Sequence, residues 1–244
     1  MNRVTFLDNS GFIVATDDVI MVFDYYRDPA HALHRTLDQN PDKPVVFFVT
    51  HHHPDHYNKS IFELAQNHKR TYVLSNDVYP QNVPDNLAVA GMSKGDVIEG
   101  LPGSLSVKAF GSTDAGVSFL VITRTGEKIF HAGDLNDWHW QDEASMREVE
   151  KASSQFRTIV NRIAEEVPTI DIAFFPVDVR LGSDYARGAR EFLTAVKVRD
   201  FFPMHFKGDY HKACNFTDYN VEGTAFHCLH TPGDKNSKYF SRSD

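Results

Sequence analysis

Short apolar runs broken by Gly, Pro, Asn and Asp recur along the chain and predict strands over most of its length. Val4 to Leu7, Gly11 to Ala15 and Val19 to Asp24, separated by Asn9-Ser10-Gly11 and Thr16-Asp17-Asp18, read as a meander. Val45 to Val49 is apolar without a break, the pattern of a strand buried on both faces. Further strands are predicted at Thr71 to Leu74, Leu87 to Ala90, Asp96 to Glu99, Leu105 to Phe110, Lys128 to Phe130 and Ile170 to Val179, and an apolar strand from Phe201 ends at His205. A loop rich in Asn, Asp and Pro runs up to Asn86. The clearest helix is Glu143 to Val167, with Met146, Val149, Phe156, Ile159, Val160, Ile163 and Ala164 at helical spacing and Pro168 as its stop. Lys59 to His68 and about Tyr185 to Val196 read as shorter helices. No internal repeat stands out.

Val45-Val46-Phe47-Phe48-Val49-Thr50 runs straight into His51-His52-His53-Pro54-Asp55-His56. In extended chain alternate side chains share a face, so His51 and His53 converge while His52 faces away. Pro54 stops the strand, and Asp55 and His56 follow in the turn. Polar groups at the mouth of a buried strand need partners. Imidazole nitrogen together with carboxylate oxygen suits zinc or a similar divalent transition metal better than magnesium or calcium.

Composition narrows the setting. With 41% hydrophobic and 12% aromatic residues, 244 residues can bury a substantial core. No apolar run approaches the length of a membrane-spanning helix, and the N-terminus lacks a basic segment followed by an apolar one, so the expectation is a cytoplasmic protein. Cys214 and Cys228 are expected as two free thiols in a reducing compartment. The net charge of -8 argues against nucleic acid as a partner, and a bound divalent metal would offset part of it locally.

The pattern HxHxDH, carried by His51, His53, Asp55 and His56, resembles the signature of the metallo-β-lactamase superfamily. The resemblance implies an α/β fold, a four-layer αββα sandwich formed by residues 1–244 as a single domain of two similarly built halves, and a two-metal site. Asn9-Ser10-Gly11-Phe12 and Phe23-Asp24-Tyr25-Tyr26 are similar to the superfamily's opening, which makes Asp24 either a support for the metal ligands or a strand-end turn residue. Strand-then-Gly133-Asp134 matches its bridging aspartate, with His131 as a support for Asp134. His205 matches the last ligand at a late strand end. The chain departs from the pattern near Ser112, where many members carry a histidine. Asp114 is the nearest substitute ligand, although it reads first as a turn residue whose carboxylate caps local amides. Asp178-Val179-Arg180-Leu181-Gly182 resembles a branch related to phosphate-ester lactonases, with Arg180 either an anion holder or a salt-bridge partner. Trp138 and Trp140, around His139, are a substrate wall or core residues. His31 and His34 are expected on a helix surface, and Phe216, Phe226 and Tyr239 as late strands or a cover.

The function implied is a metal-dependent hydrolase that uses a metal-activated water on a small molecule, phosphorylated or a lactone or ester, with Asp55 and Asp134 catalytic. His51, His53, Asp55, His56, Asp134 and His205 are the expected ligands, with Asp114 as the further candidate. The cofactor expected is one or two Zn2+ ions, with Mn2+ or Fe2+ as alternatives; histidine at position 53 leans towards zinc. The competing readings are a metal-binding protein without turnover and a di-iron redox enzyme on the same fold.

Overall fold

Side-chain alternation along the strand Val45–Val49 sets the layering: Val46 and Phe48 enter one apolar cluster, while Val45, Phe47 and Val49 enter another. Both faces are buried, which is why the run is continuously apolar. The computed structural model describes residues 3–78 and 86–236.

The first sheet contains β1 (Arg3–Asp8), β2 (Gly11–Ala15), β3 (Ile20–Phe23), β4 (Val45–Val49), β5 (Arg70–Ser75) and β6 (Ala88–Met92). The second contains β7 (Val97–Leu101), β8 (Leu105–Gly111), β9 (Val117–Ile122), β10 (Lys128–His131), β11 (Thr169–Pro176), β12 (Lys197–Met204) and β13 (Ala225–Phe226), before β14 (Lys235–Asn236) returns to pair with β1. The sheets run β14-β1-β2-β3-β4-β5-β6 and β13-β12-β11-β10-β9-β8-β7. Each begins as an antiparallel meander and continues as parallel strands, from β3 in the first and from β10 in the second. The halves are therefore built alike, although no repeat is visible in the sequence.

The sheets face each other through aromatic residues, with Phe12 and Phe174 4.3 Å apart and Phe48 and Phe119 5.8 Å apart between ring centroids. Helix α1 (Ala32–Asp38) covers the outer face of the first sheet through Leu33 and Leu37. Helices α2 (Met146–Glu166) and α3 (Arg187–Ala195) cover the second through Phe156, Val160 and Phe192, and a short α4 (Tyr210–Ala213) follows β12. The result is the αββα sandwich. α2 starts later than the sequence pattern predicts because Ser145 and Glu148 form a capping box.

Three expectations change. Residues 59–68 are no helix: a 3-10 turn spans Lys59–Phe62, and Ala65 adopts a left-handed φ of 52° that ends any continuation. Cys214 and Cys228 are bonded to each other, their Cα atoms 5.6 Å apart, so the reducing-compartment reading loses the free thiols it stood on. His31 caps α1 in a left-handed conformation instead of lying within it. Among the described residues no helix is long and apolar enough to cross a membrane. Tyr239 and most of the loop before Asn86 lie outside the described residues.

Candidate metal centre

Apart from Asp114, which follows the antiparallel strand β8, each candidate donor follows a strand that belongs to a parallel pair. β4 delivers His51 and His53, β10 delivers Asp134 and β12 delivers His205, the end of a parallel sheet where α/β folds bind ligands. Gly133, at φ 55°, lets the Asp134 loop press on the end of β4: a Cβ there would stand 2.8 Å from Thr50 Cβ.

His51 Nε2 lies 3.0 Å from His53 Nδ1, and Asp134 Oδ2 is 3.4 Å and 4.0 Å from the two. The other Asp134 oxygen is 3.0 Å from His56 Nε2 and 3.5 Å from His205 Nε2. Asp55 Oδ2 is 3.9 Å and 3.5 Å from those same nitrogens. Three groups have donor atoms within 4.8 Å of one another: Asp24 with His51 and His56 beneath the site, and two clusters facing the cleft, His51 with His53 and Asp134, and Asp55 with His56 and His205. Asp134 stands between them. His52 turns away, 3.0 Å from Asp77.

Buried acceptors set the imidazole tautomers. His56 Nδ1 donates to Asp24 Oδ2 across 2.7 Å, and His205 Nδ1 donates to Asp178 Oδ2 across 2.9 Å. Thr50 gives its hydroxyl proton to Asp24 at 2.6 Å, so its oxygen can accept from His51 Nδ1 at 3.0 Å. Each ring thereby turns the Nε2 lone pair towards the cluster, the arrangement in which outer hydrogen bonds orient metal-binding histidines. Asp24 is committed to Thr50 and His56 and is fully buried, so it supports the donors from beneath. Arg180 grips Asp178 at 2.9 Å and 3.0 Å, and Asp178 is held down to about 2 because hydrogen bonds from His205 and Arg180 outweigh burial.

His56 Nε2 and Asp134 Oδ1 are both buried and neither has a hydrogen-bond partner. With Nδ1 already donating to Asp24, a neutral His56 sets a lone pair against a carboxylate oxygen. Burial opposes a charge on His56, but Asp134 and Asp24 overcome it and push its pKa up to about 10. Burial likewise opposes ionised Asp134, which His56, His51 and His205 nevertheless hold well below the ordinary carboxylate value. One proton answers one such confrontation, whereas lone pairs from both clusters converge on the space around Asp134. A divalent cation answers several at once, and nitrogen with carboxylate oxygen is a transition-metal donor set.

The clusters open into a cleft of about 360 Å³ walled by Trp138, Trp140, Thr113 and Arg180. Trp138 donates its indole N–H to the Asp134 carbonyl at 2.8 Å and meets His205 edge-on at 5.7 Å, so the tryptophans form a wall of the cleft. Asp114 Oδ2 is 3.6 Å from His53 Nδ1, while Ser112 only accepts the Asp114 amide at 3.4 Å. His131 donates to the Ser10 carbonyl at 2.8 Å and accepts the Gly133 amide at 3.2 Å, so it acts on the backbone just before Asp134. Sequence reasoning gave Thr50 no role, and saw Asn9 and Asp178 only as parts of motifs. Asn9 donates to Asp55 Oδ2 at 3.1 Å. A larger groove of about 700 Å³, beside Phe110 and Ile159, contains none of the candidate donors.

No family model matches the sequence, and no curated protein matches it. Solved structures do. Igni18, a metallo hydrolase from the hyperthermophilic archaeon Ignicoccus hospitalis, is 16% identical, with 96% of this chain and 97% of that one covered at a TM-score of 0.66. The metallo-β-lactamase fold protein YhfI from Bacillus subtilis is 10% identical, with 96% and 99% covered at a TM-score of 0.62. CmlA, a diiron β-hydroxylase from Streptomyces venezuelae, is 13% identical; 96% of this chain matches 54% of that one at a TM-score of 0.62. The chain has the metallo-β-lactamase fold. At these identities the likeness extends to the fold and not to the reaction.

Proposed function

We propose that the protein is a metal-dependent hydrolase of small-molecule esters, lactones or phosphate esters, working with one or two divalent cations, Zn2+ first and Mn2+ or Fe2+ as alternatives. The observation that carries this reading is the convergence of two largely buried donor clusters on Asp134, with His51 Nε2 3.4 Å from one of its oxygens and His56 Nε2 3.0 Å and His205 Nε2 3.5 Å from the other, at the floor of an open cleft. His51, His53 and Asp134, with Asp114 in the place of the missing histidine, would hold one ion. Asp55, His56 and His205, sharing Asp134, would hold the second. A bound divalent ion lowers the pKa of water from 15.7 to about 7 and polarises a carbonyl or phosphoryl oxygen.

The chain's own groups do the rest. Asp24, Thr50 and Asp178 hold the rings of His56, His51 and His205 with Nε2 already aimed at the clusters. Asp134 presents one oxygen to each cluster, and Asn9 holds Asp55 in place. Trp138 and Trp140 give the substrate an apolar wall and exclude water from one side of the cleft. The test is hydrolysis of a panel of phosphodiester, lactone, thioester and β-lactam substrates by metal-loaded protein, before and after chelation. Chelation should abolish turnover, and Asp134→Asn should reduce it by about a hundredfold or more. Full activity in metal-stripped protein refutes the mechanism; stoichiometric metal with no turnover on any substrate favours a metal-binding protein.

One observation supports a second reading. With Asp114 beside His51 and His53, and Asp55 beside His56 and His205, each cluster pairs two histidines with a carboxylate of its own, a donor set that also suits non-haem iron. A di-iron redox enzyme would retain iron on purification and show its absorption bands, and zinc in the purified protein would sink that alternative.

A further inference from the structure

The cleft does not end at the donor clusters. A second cavity of about 360 Å³, lined by Tyr26, Phe206 and His230 among others, adjoins it, and both cavities share Asp55 and Lys207. The ion pair between Lys207 and Asp55 is thus the partition between them. Lys207 adopts φ 46° and is followed by Gly208 at φ 89°. Left-handed backbone is unfavourable for a residue with a side chain, and Lys207 adopts it where it lines both cavities.

The two arginines lining the cavities are committed elsewhere, Arg180 to Asp178 and Arg27 to Asp8. Lys207 differs, because its carboxylate partner is a candidate metal ligand. Without a cation, Asp55 is compensated by Lys207, by Asn9 at 3.1 Å and by His205 at 3.5 Å. A divalent ion on Asp55 neutralises the same charge, and an ammonium group that is only about a third exposed is left without a counter-ion beside the reacting position. A ligand oxyanion would restore the balance.

Resting on the hydrolytic reading above, we propose that Lys207 is the specificity-determining residue of this cleft, and that its substrate carries a second oxyanionic group, carboxylate or phosphate, a few bonds from the scissile one. The scissile group sits at the donor clusters, the anion lies against Lys207 Nζ, and the remainder extends between Tyr26 and His230.

Binding tests this without turnover, so its outcome is separate from that of the hydrolase assays. Calorimetry on zinc-loaded protein compares glutarate with butyrate, which differ by one terminal carboxylate, and with 4-phosphonobutyrate to tell the two oxyanions apart. Wild-type protein should bind at least one dianion about tenfold or more tighter than butyrate, the scale of a hydrogen bond to a charged group. Lys207→Met, with zinc content confirmed unchanged, should lose that preference while butyrate binding moves less than about twofold, and Lys207→Arg should keep most of it. A preference that survives in Lys207→Met would mean that the metals alone hold the second anion, and no preference in wild type would mean there is no such subsite; either overturns the assignment.

Discussion

His56 and Asp24 form a fully buried pair, with Nδ1 of the imidazole 2.7 Å from a carboxylate oxygen that also receives the Thr50 hydroxyl. That one carboxylate fixes His56 directly and His51 through Thr50, so a residue outside both donor clusters orients a histidine in each. Asp24→Asn keeps the shape but offers an amide, which can donate where only acceptance is useful. Metal affinity should fall about ten- to a hundredfold, read by competition with a chromophoric chelator, while the circular dichroism spectrum stays native. Unchanged affinity would reduce the pair to core packing.

The first motif was legible because strand geometry is local: a period of two put His51 and His53 together and sent His52 outward, without any knowledge of the remaining chain. β4 itself was legible for the same reason. Asp178 was not, since what makes it matter is the His205 ring, 27 residues later, brought alongside by the parallel pairing of β11 and β12. Asn9 and Asp55 meet across 46 residues and are equally silent in sequence. The segment after His56 misled because Ile61, Phe62 and Leu64 have helical spacing, yet their task is to pack against the outer face of the first sheet from a 3-10 turn and a loop. Tertiary burial overrode the local pattern there.

The cysteine pair is a second case of contact unreadable from spacing. Cys214 and Cys228 close a loop of 14 residues around the segment that contains Phe216 and Tyr219. Chain-entropy reasoning gives a bond closing such a loop about 3 kcal/mol. Cys214→Ser with Cys228→Ser should lower the unfolding free energy by about that amount in urea titrations, and a reductant should have the same effect on wild type and none on the variant. Equal stability of oxidised and reduced wild type would show that the loop is ordered without it.

Asp200 offers a pH-dependence remote from the candidate metal centre. Its Oδ1 is 2.6 Å from His227 Nε2 and its Oδ2 is 2.8 Å from Arg199 Nε. Burial raises its pKa, but His227 and Arg199 outweigh burial and lower it below 3.8. A carboxyl with a depressed folded pKa contributes stability that is complete above its unfolded value and is lost as pH falls through the folded one. Between pH 6 and pH 4.5 the contribution should be flat, then decline below about pH 4. Asp200→Asn should be less stable at neutral pH and show a shallower loss in acid. Parallel acid limbs in the two proteins would assign the loss to other carboxylates.

Asp114 and Ser112 compete for the place of the histidine that the superfamily pattern leads one to expect. The structure favours the aspartate on geometry: its carboxylate reaches to 3.6 Å from His53, while the Ser112 hydroxyl is turned to a backbone amide. A carboxylate is also an adequate ligand for a divalent transition metal, which a neutral hydroxyl is not. Asp114→Ala should therefore weaken or remove the ion at His51 and His53 and leave the one at His56 and His205, so that metal analysis after dialysis finds one equivalent fewer. Ser112→Ala should change neither number nor affinity. Replacing Ser112 by His tests the converse, since an added imidazole at that point should tighten zinc binding and shift the preference away from iron. If Asp114→Ala retains its full metal complement and Ser112→Ala does not, the serine or a water it holds is the ligand, and the aspartate is a turn residue that happens to face the cleft.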